Sequence, residues 1–265
     1  MNFTLLLKTL RDRWRSSVAW AAGAVALSSI QLYIYPSVVS TGDVFDEFIK
    51  AFPKEFIAMF RIEDYTSGVG FLGTELFSMM IPLVFISVGS SWGASAAAEE
   101  EEKGTSEILY ALPISRTRII ISKIVAAWAV MIAIGVVLVV VITIGSSMVD
   151  LDLKNVHLVA ATTSCLALGI FFHGLAIMVG GLIGKRGAAL GLAFAIGLVS
   201  FLIYSLAPLV DTFDAVLPFM PFEWAIGAKP LKTGFDLVGI GWLLLGALIG
   251  YVIALFAINR RDIDA

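Results

Sequence analysis

The chain has 265 residues, of which 59% are apolar and only 15% are charged, and its formal net charge is −3 at pH 7. Soluble domains are nearer half apolar and a quarter charged, so this composition excludes an ordinary soluble protein. The single cysteine, Cys165, excludes an intrachain disulfide, and we expect it inside a membrane span as a small apolar residue.

Six uncharged apolar stretches predict an all-α polytopic membrane protein. Each has about the 17–25 residues, or slightly more, that cross roughly 30 Å of hydrocarbon as a helix. The alternating pattern of a membrane barrel is absent. The first stretch is read as a retained span because Tyr33, Tyr35 and Pro36 stand where a signal-peptide cleavage site would need small residues. The predicted spans are 18–35, 76–98, 124–149, 158–183, 188–209 and 237–258.

Residues 1–17 precede this transmembrane domain (18–265) and predict an amphipathic helix. Apolar side chains recur at helical spacing from Phe3 to Trp14, and Lys8, Arg11 and Arg15 occupy other faces. Such a helix lies on the membrane surface with its cations towards anionic lipid. The alternative is a simple orientation signal.

The basic residues predict the topology. With both termini placed inside, the inner segments hold twelve lysines and arginines and the outer segments hold six. Because basic residues concentrate at the cytoplasmic ends of spans, we predict that both termini are cytoplasmic.

Two long outer segments, 36–75 and 210–236, carry amphipathic pieces. Residues 42–60 fit two short helices broken at Pro53, which lie on the outer membrane face or only cap the bundle. Residues 215–224 are apolar but too short to span, so we expect a re-entrant or interfacial piece with Trp224 at headgroup depth.

A polar island at residues 97–118 separates the second and third apolar stretches. The acidic run Glu99–Glu102 extends the second helix beyond the membrane, where it is either a solvated helix end or pairs with arginines and lysines of a partner protein or of the N-terminal helix. Gly104 can end that helix, and Thr105 or Ser106 can cap a new one.

The new helix carries apolar residues on one side and must stop before Pro113, because the residue preceding a proline disfavours helical geometry. Ser115 can then cap the third helix. The island therefore predicts a short helix, roughly 10 Å long, lying parallel to the membrane.

This segment resembles the one that follows the second span in type-2 ATP-binding-cassette (ABC) permeases. The matching residues are 102–119, EKGTSEILYALPISRTRI, followed by Lys123. The resemblance extends to residues 221–234 before the sixth span and to 259–263, NRRDI, and so covers nearly the whole chain. The run of four acids is a departure, since the family usually shows one or two.

The resemblance implies the permease subunit of an ABC exporter, a multi-pass protein of a prokaryotic plasma membrane. Two permease subunits, identical or homologous, would pair around the translocation path, and two separate ABC ATPase subunits would dock below. ATP and magnesium would bind to the ATPases. The resemblance implies no cofactor or catalytic residue in this chain, and lipid but no nucleic acid as a further partner.

The resemblance also makes the short cytoplasmic helix a coupling helix that passes ATPase motion to the spans. Ile108, Leu109 and Leu112 would insert into an ATPase groove, with Glu107 and Arg116 at its rim. The expected partner-binding residues are Glu102, Gly104, Thr105, Glu107, Ile108, Leu109, Leu112, Pro113 and Arg116.

Two other functions stay open, an ion- or proton-coupled carrier and an intramembrane enzyme. A carrier needs buried acids, but the six stretches contain none, and His173 is their only side chain that titrates near neutral pH. We expect His173 to be neutral and hydrogen-bonded to a neighbouring helix; the alternative is a functional role. An enzyme needs paired or metal-ligating groups, but neither a Walker-type nor an HExxH sequence occurs. The uncharged spans suit an apolar or amphipathic cargo such as a lipid, peptide or drug.

Overall fold

The computed structural model describes residues 3–42, 51–53, 56–57, 59, 62, 65–105 and 113–260. In this part of the chain there is no strand, and six helices are long and apolar enough to cross a membrane. The prediction of an all-helical protein with six spans is therefore confirmed. The long helices are α2 Trp14–Ser40, α3 Gly68–Glu102, α4 Arg116–Met148, α5 Asn155–Ile183, α6 Arg186–Leu206 and α8 Leu237–Arg260.

Helix α5 lies at the centre of the bundle. Of its most apolar window 67% is buried, against 17% for α2. It packs mainly against α3 and α8, whereas α2 packs against α4 and α6 packs against α3 and α5. Glycines allow the closest of these approaches. A Cβ atom added at Gly89 of α3 would lie 2.1 Å from the carbonyl oxygen of Gly169 in α5.

The short helix α1, Phe3–Asp12, packs against α4 and buries Leu6. It is separated from α2 by a break at Arg13. Helix α2 itself is longer than the predicted span, which ended at Tyr35. The helix continues through Pro36 to Ser40, because within a membrane-length segment an internally bonded helix satisfies more backbone groups than a loop does.

Helix α3 also begins earlier than predicted, at Gly68 instead of Leu76, and contains a π-helical segment, Gly73–Met80. Pro82 lies two residues after the end of this segment. A proline has no N–H group to donate and its ring clashes with the carbonyl group four residues earlier, so a widened turn relieves that conflict. The longer helix includes Glu75, which accepts a hydrogen bond of 2.5 Å from the Tyr65 hydroxyl. Burial and this bond raise the pKa of Tyr65.

The chain between α6 and α8 forms short helical turns at one end of the bundle. They are the 3-10 turns Ala207–Leu209, Asp211–Ala215 and Leu217–Phe219, the π-helical segment Glu223–Gly227 and helix α7 Pro230–Thr233. The piece expected to be re-entrant or interfacial thus consists of turns rather than one helix. The Trp224 indole N–H donates to the Pro218 carbonyl oxygen at 2.7 Å, and the Phe222 backbone N–H donates to Ser200 of α6 at 3.1 Å.

Because six long helices alternate in direction, the bundle has two ends. We call the end that holds α1, the α3–α4 connection and the end of α8 the terminal end, and the other the distal end. The two outer helices predicted within residues 42–60 fall mostly outside the described residues.

Candidate functional site

The connecting segment, residues 104–113, joins α3 to α4 at the terminal end, and its first boundary has a defined geometry. Helix α3 ends at Glu102 and Gly104 has a left-handed φ of 65°. The Thr105 N–H donates to the Glu100 carbonyl at 2.8 Å, and the Gly104 N–H donates to the Glu101 carbonyl at 3.1 Å. These two bonds form a Schellman motif, which satisfies the last carbonyls of the helix and fixes the direction in which the chain leaves it.

The second boundary is a helix N-cap. Ser115 has extended backbone angles, and its side chain accepts a hydrogen bond of 3.4 Å from the Arg118 N–H. The N-cap predicted from the sequence is therefore confirmed. Thr105 and Ser115 are thus both held by local hydrogen bonds, at the end of α3 and at the start of α4.

The acidic run at the end of α3 forms ion pairs with basic residues of other parts of the chain. The Glu100 carboxylate lies 2.5 Å from the Lys123 ammonium of α4, and that ammonium also donates to the Ala96 carbonyl at 3.2 Å. Lys123 is only 13% exposed. This pair joins the two helices on either side of the connecting segment in a partly dehydrated position.

Arg13, in the break between α1 and α2, makes the second connection to α3. Its guanidinium lies 3.4 Å from the Glu99 carboxylate, donates to Ser95 at 2.5 Å and stands 5.1 Å from the Trp92 ring centre. Burial lowers the pKa of the Arg13 guanidinium, and the Glu99 carboxylate opposes that change. The pairing of the acidic run with the N-terminal region, one of the two sequence interpretations, is therefore observed for Glu99.

A third connection joins the start of α4 to the end of α8. The Arg116 guanidinium donates to the Ile258 carbonyl at 2.9 Å, and the Asn259 amide donates to the Thr117 hydroxyl at 3.0 Å. The Arg116 cation thus lies at the C-terminal end of a helix, where the helix dipole favours positive charge. Arg116 is only partly exposed.

Of the nine expected partner-binding residues, Arg116 is the partly exposed residue that donates to the Ile258 carbonyl, and the other eight divide into two groups. Glu102, Gly104, Thr105 and Pro113 are exposed at the terminal end. Outside the described residues lie Glu107 and the three residues of the predicted apolar face, Ile108, Leu109 and Leu112. Arg13 and Ser95 were not among the predicted site residues, and Asn259 appeared only within the matching stretch 259–263. No local signal marks Ser95, which lies about two turns before the end of α3.

The middle of the bundle contains a polar cluster around His173. Its Nδ1 atom lies 2.8 Å from the Tyr251 hydroxyl of α8, which accepts a hydrogen bond of 2.9 Å from the Trp128 indole of α4. The expected hydrogen bond from His173 to a neighbouring helix is confirmed. Within the residues that the structure describes, no three His, Cys, Asp or Glu side chains converge as a metal site.

A family comparison decides what kind of protein carries this arrangement. The model of the "ABC-2 family transporter protein" family matches residues 3–262, nearly the whole chain. The chain belongs to the ABC-2 transporter family. No similar sequence was found among curated proteins.

Membership identifies this ABC-2 protein as a permease-type membrane subunit of an ABC transporter. Subunits of this family generally work with ATPase subunits, and the family is a transport component rather than an enzyme. The resemblance found in the sequence is confirmed, and the six helices agree with a multi-pass membrane protein.

Proposed function

We propose that this ABC-2 protein is the permease subunit of an exporter in the plasma membrane, with both termini in the cytoplasm. In this arrangement the terminal end faces two ATPase subunits that bind ATP and magnesium. A second permease subunit completes the translocation path. The distribution of basic residues along the sequence, twelve in the segments predicted to be inside against six in those predicted to be outside, supports this orientation.

The connecting segment is the proposed point of contact with the ATPase. The observation that supports this most is the set of three connections around it. Ion pairs and hydrogen bonds link the end of α3 to Arg13 and Lys123, and the start of α4 to the end of α8. A push on the connecting segment would therefore move several helices together, since each is held by charge-assisted bonds.

The apolar side chains of the segment are the proposed ATPase contacts. Replacing Leu109 and Leu112 with Asp places two charges where an apolar groove must receive them, and burial of an unpaired charge costs several kcal/mol. We expect the double variant Leu109→Asp/Leu112→Asp to lose its ATPase partner. The matched control is Leu109→Met/Leu112→Met, which keeps the side chains apolar and similar in volume.

The test is co-purification of a co-expressed ABC ATPase with the tagged permease, together with the ATP hydrolysis rate of the complex. The Asp variant is expected to fold normally, because the changes lie between spans, but to retain little ATPase. If both variants hold the ATPase and hydrolyse ATP as the wild type does, the connecting segment is an ordinary loop and the proposed function loses its mechanical basis.

A further inference from the structure

A cavity of about 320 Å³ lies at the distal end of the bundle, away from the connecting segment. Its walls come from four parts of the chain. They are the start of α3 (residues 67–78), the α4–α5 loop with the first turns of α5 (152–161), Tyr204 of α6, and residues 226–232 before α8. The volume is at the lower end of the range for small-molecule sites.

Several segments with irregular backbone geometry line this cavity or lie next to it. Both π-helical segments of the described chain contribute to its wall, one through Gly73–Ser78 and the other through Ile226. Two non-glycine residues have a left-handed φ, Lys229 in the wall and Asp150 two residues before the wall residue Asp152. Within a membrane bundle, irregular backbone is tolerated where it lines a cavity, and π-helical turns and strained residues concentrate at functional sites.

The side chains of the wall combine positive charge with an apolar surface. Among the described wall residues there are three lysines against one aspartate. The lysines are Lys154, Lys229 and Lys232. The apolar part includes Phe77, Ile226 and Leu231, with hydroxyl groups from Thr74, Ser78 and Tyr204. A cavity lined in this way is complementary to a molecule with an anionic head and an apolar body.

We propose that this cavity binds an amphipathic molecule whose head is a phosphate-type anion. The head lies among the three lysines and the apolar body lies along Phe77 and Ile226. This inference rests on the proposed transport function, because it names the class of cargo that would occupy the distal end. It does not depend on the ATPase contact, which lies at the opposite end.

The test is equilibrium binding of radiolabelled dodecyl phosphate to the purified protein, with its ATPase where the two co-purify, in phosphatidylcholine vesicles without ATP. Three unlabelled competitors separate the contributions of charge and chain. Dodecyltrimethylammonium carries the opposite charge, dodecyl maltoside carries none, and inorganic phosphate has no chain. We expect dodecyl phosphate to bind at least about tenfold more tightly than each of the three competitors, since a single charge-assisted hydrogen bond can account for a tenfold difference in affinity.

The variant Lys154→Gln/Lys232→Gln is expected to weaken dodecyl phosphate binding by at least about tenfold. Its matched control is Lys103→Gln/Lys185→Gln, which removes two lysines from the terminal end and should leave binding unchanged. If Lys154→Gln/Lys232→Gln fails to fold, the effect of ionic strength on binding to the wild-type protein serves as the test of charge instead. Higher ionic strength should weaken binding of dodecyl phosphate but not of dodecyl maltoside.

Three results would overturn the proposal. They are equal binding of dodecyl phosphate and dodecyl maltoside, equal loss in both lysine variants, and competition by inorganic phosphate at the same concentration as dodecyl phosphate. The last would show a site for a free anion. The binding measurement uses no ATP hydrolysis. Its outcome therefore does not depend on whether the connecting segment contacts the ATPase.

Discussion

Lys123 and Lys103 each pair with a glutamate of the same acidic run, but they do so in different surroundings. The Lys123 side chain is 13% exposed, pairs with Glu100 and also donates to a backbone carbonyl. The Lys103 side chain is 62% exposed and pairs with Glu99 one turn earlier on its own helix. Water competes little for the partly buried Lys123–Glu100 pair. Removal of the Lys123 charge therefore leaves the Glu100 carboxylate in a partly dehydrated position without an opposite charge.

We therefore predict that Lys123→Gln lowers the free energy of unfolding by about 1.5–3 kcal/mol. The same change at Lys103 should lower it by less than about 1 kcal/mol, because an exposed pair on a helix surface contributes little. Thermal unfolding of both variants in detergent measures the difference. Equal effects would mean that the Lys123–Glu100 pair does not hold α3 and α4 together.

At this scale the sequence predicted the helix boundaries better than the partners of the charged residues. Gly104 and Ser115 were identifiable because a C-terminal glycine and an N-terminal serine satisfy local backbone groups. The pairing of Glu99 with Arg13 joins residues 86 positions apart and depends on how α1 docks, so no local pattern could show it. His173 needed a partner once it was placed in a span, but only the structure names Tyr251.

At the scale of elements, glycine contacts determine how closely α5 packs against its neighbours. A Cβ atom at Gly89 would collide with the Gly169 carbonyl, and one at Gly93 would lie 2.4 Å from the His173 carbonyl. In α8, a Cβ atom at Gly241 would meet nothing within 4 Å. A larger residue would therefore push neighbouring helices apart at Gly89 and Gly93 but would meet no obstacle at Gly241.

We predict that Gly89→Ala destabilises the protein by about 1–3 kcal/mol, the usual cost of adding a methyl group to a well-packed core. Gly241→Ala is the matched control. It should be neutral or slightly stabilising, because alanine is the better helix former. The midpoint of thermal unfolding distinguishes the two. A Gly89→Ala variant as stable as the control would show that α3 and α5 can separate at no cost.

The sequence predicted the long helices but not which glycines pack. Gly187 and Gly191 of α6 have the four-residue spacing that permits close packing, yet a Cβ atom at either would meet no described atom within 4 Å. Gly246 and Gly250 of α8 have the same spacing and do pack closely, since a Cβ atom at Gly250 would lie 2.6 Å from the Gly174 carbonyl oxygen. Spacing places small residues on one face, but only the positions of neighbouring helices decide whether that face is covered. Pro82 is visible in the sequence, but a proline within a helix can produce a kink instead, so the π-helical segment Gly73–Met80 was not predicted.

At the scale of the whole molecule, the two ends of the bundle have different roles in the proposed account. The terminal end holds the connections among Arg13, α3, α4 and α8, and most of the basic residues that the structure describes. The distal end holds the cavity and the irregular backbone. The composition alone predicted a membrane protein, and the charge distribution predicted its orientation. The separation of two sites at opposite ends follows only from the fold.

The central claim is that the connecting segment touches the ATPase, and site-specific photo-crosslinking tests it most directly. Cys165→Ala provides a background without cysteine, in which Leu109→Cys is placed in the connecting segment and Val216→Cys at the distal end. Each cysteine is labelled with a short photoreactive maleimide in the complex with the co-expressed ATPase. We predict a crosslink to the ATPase from position 109 and none from position 216. An ATPase that co-purifies but crosslinks only from position 216, or equally from both, would contradict the account.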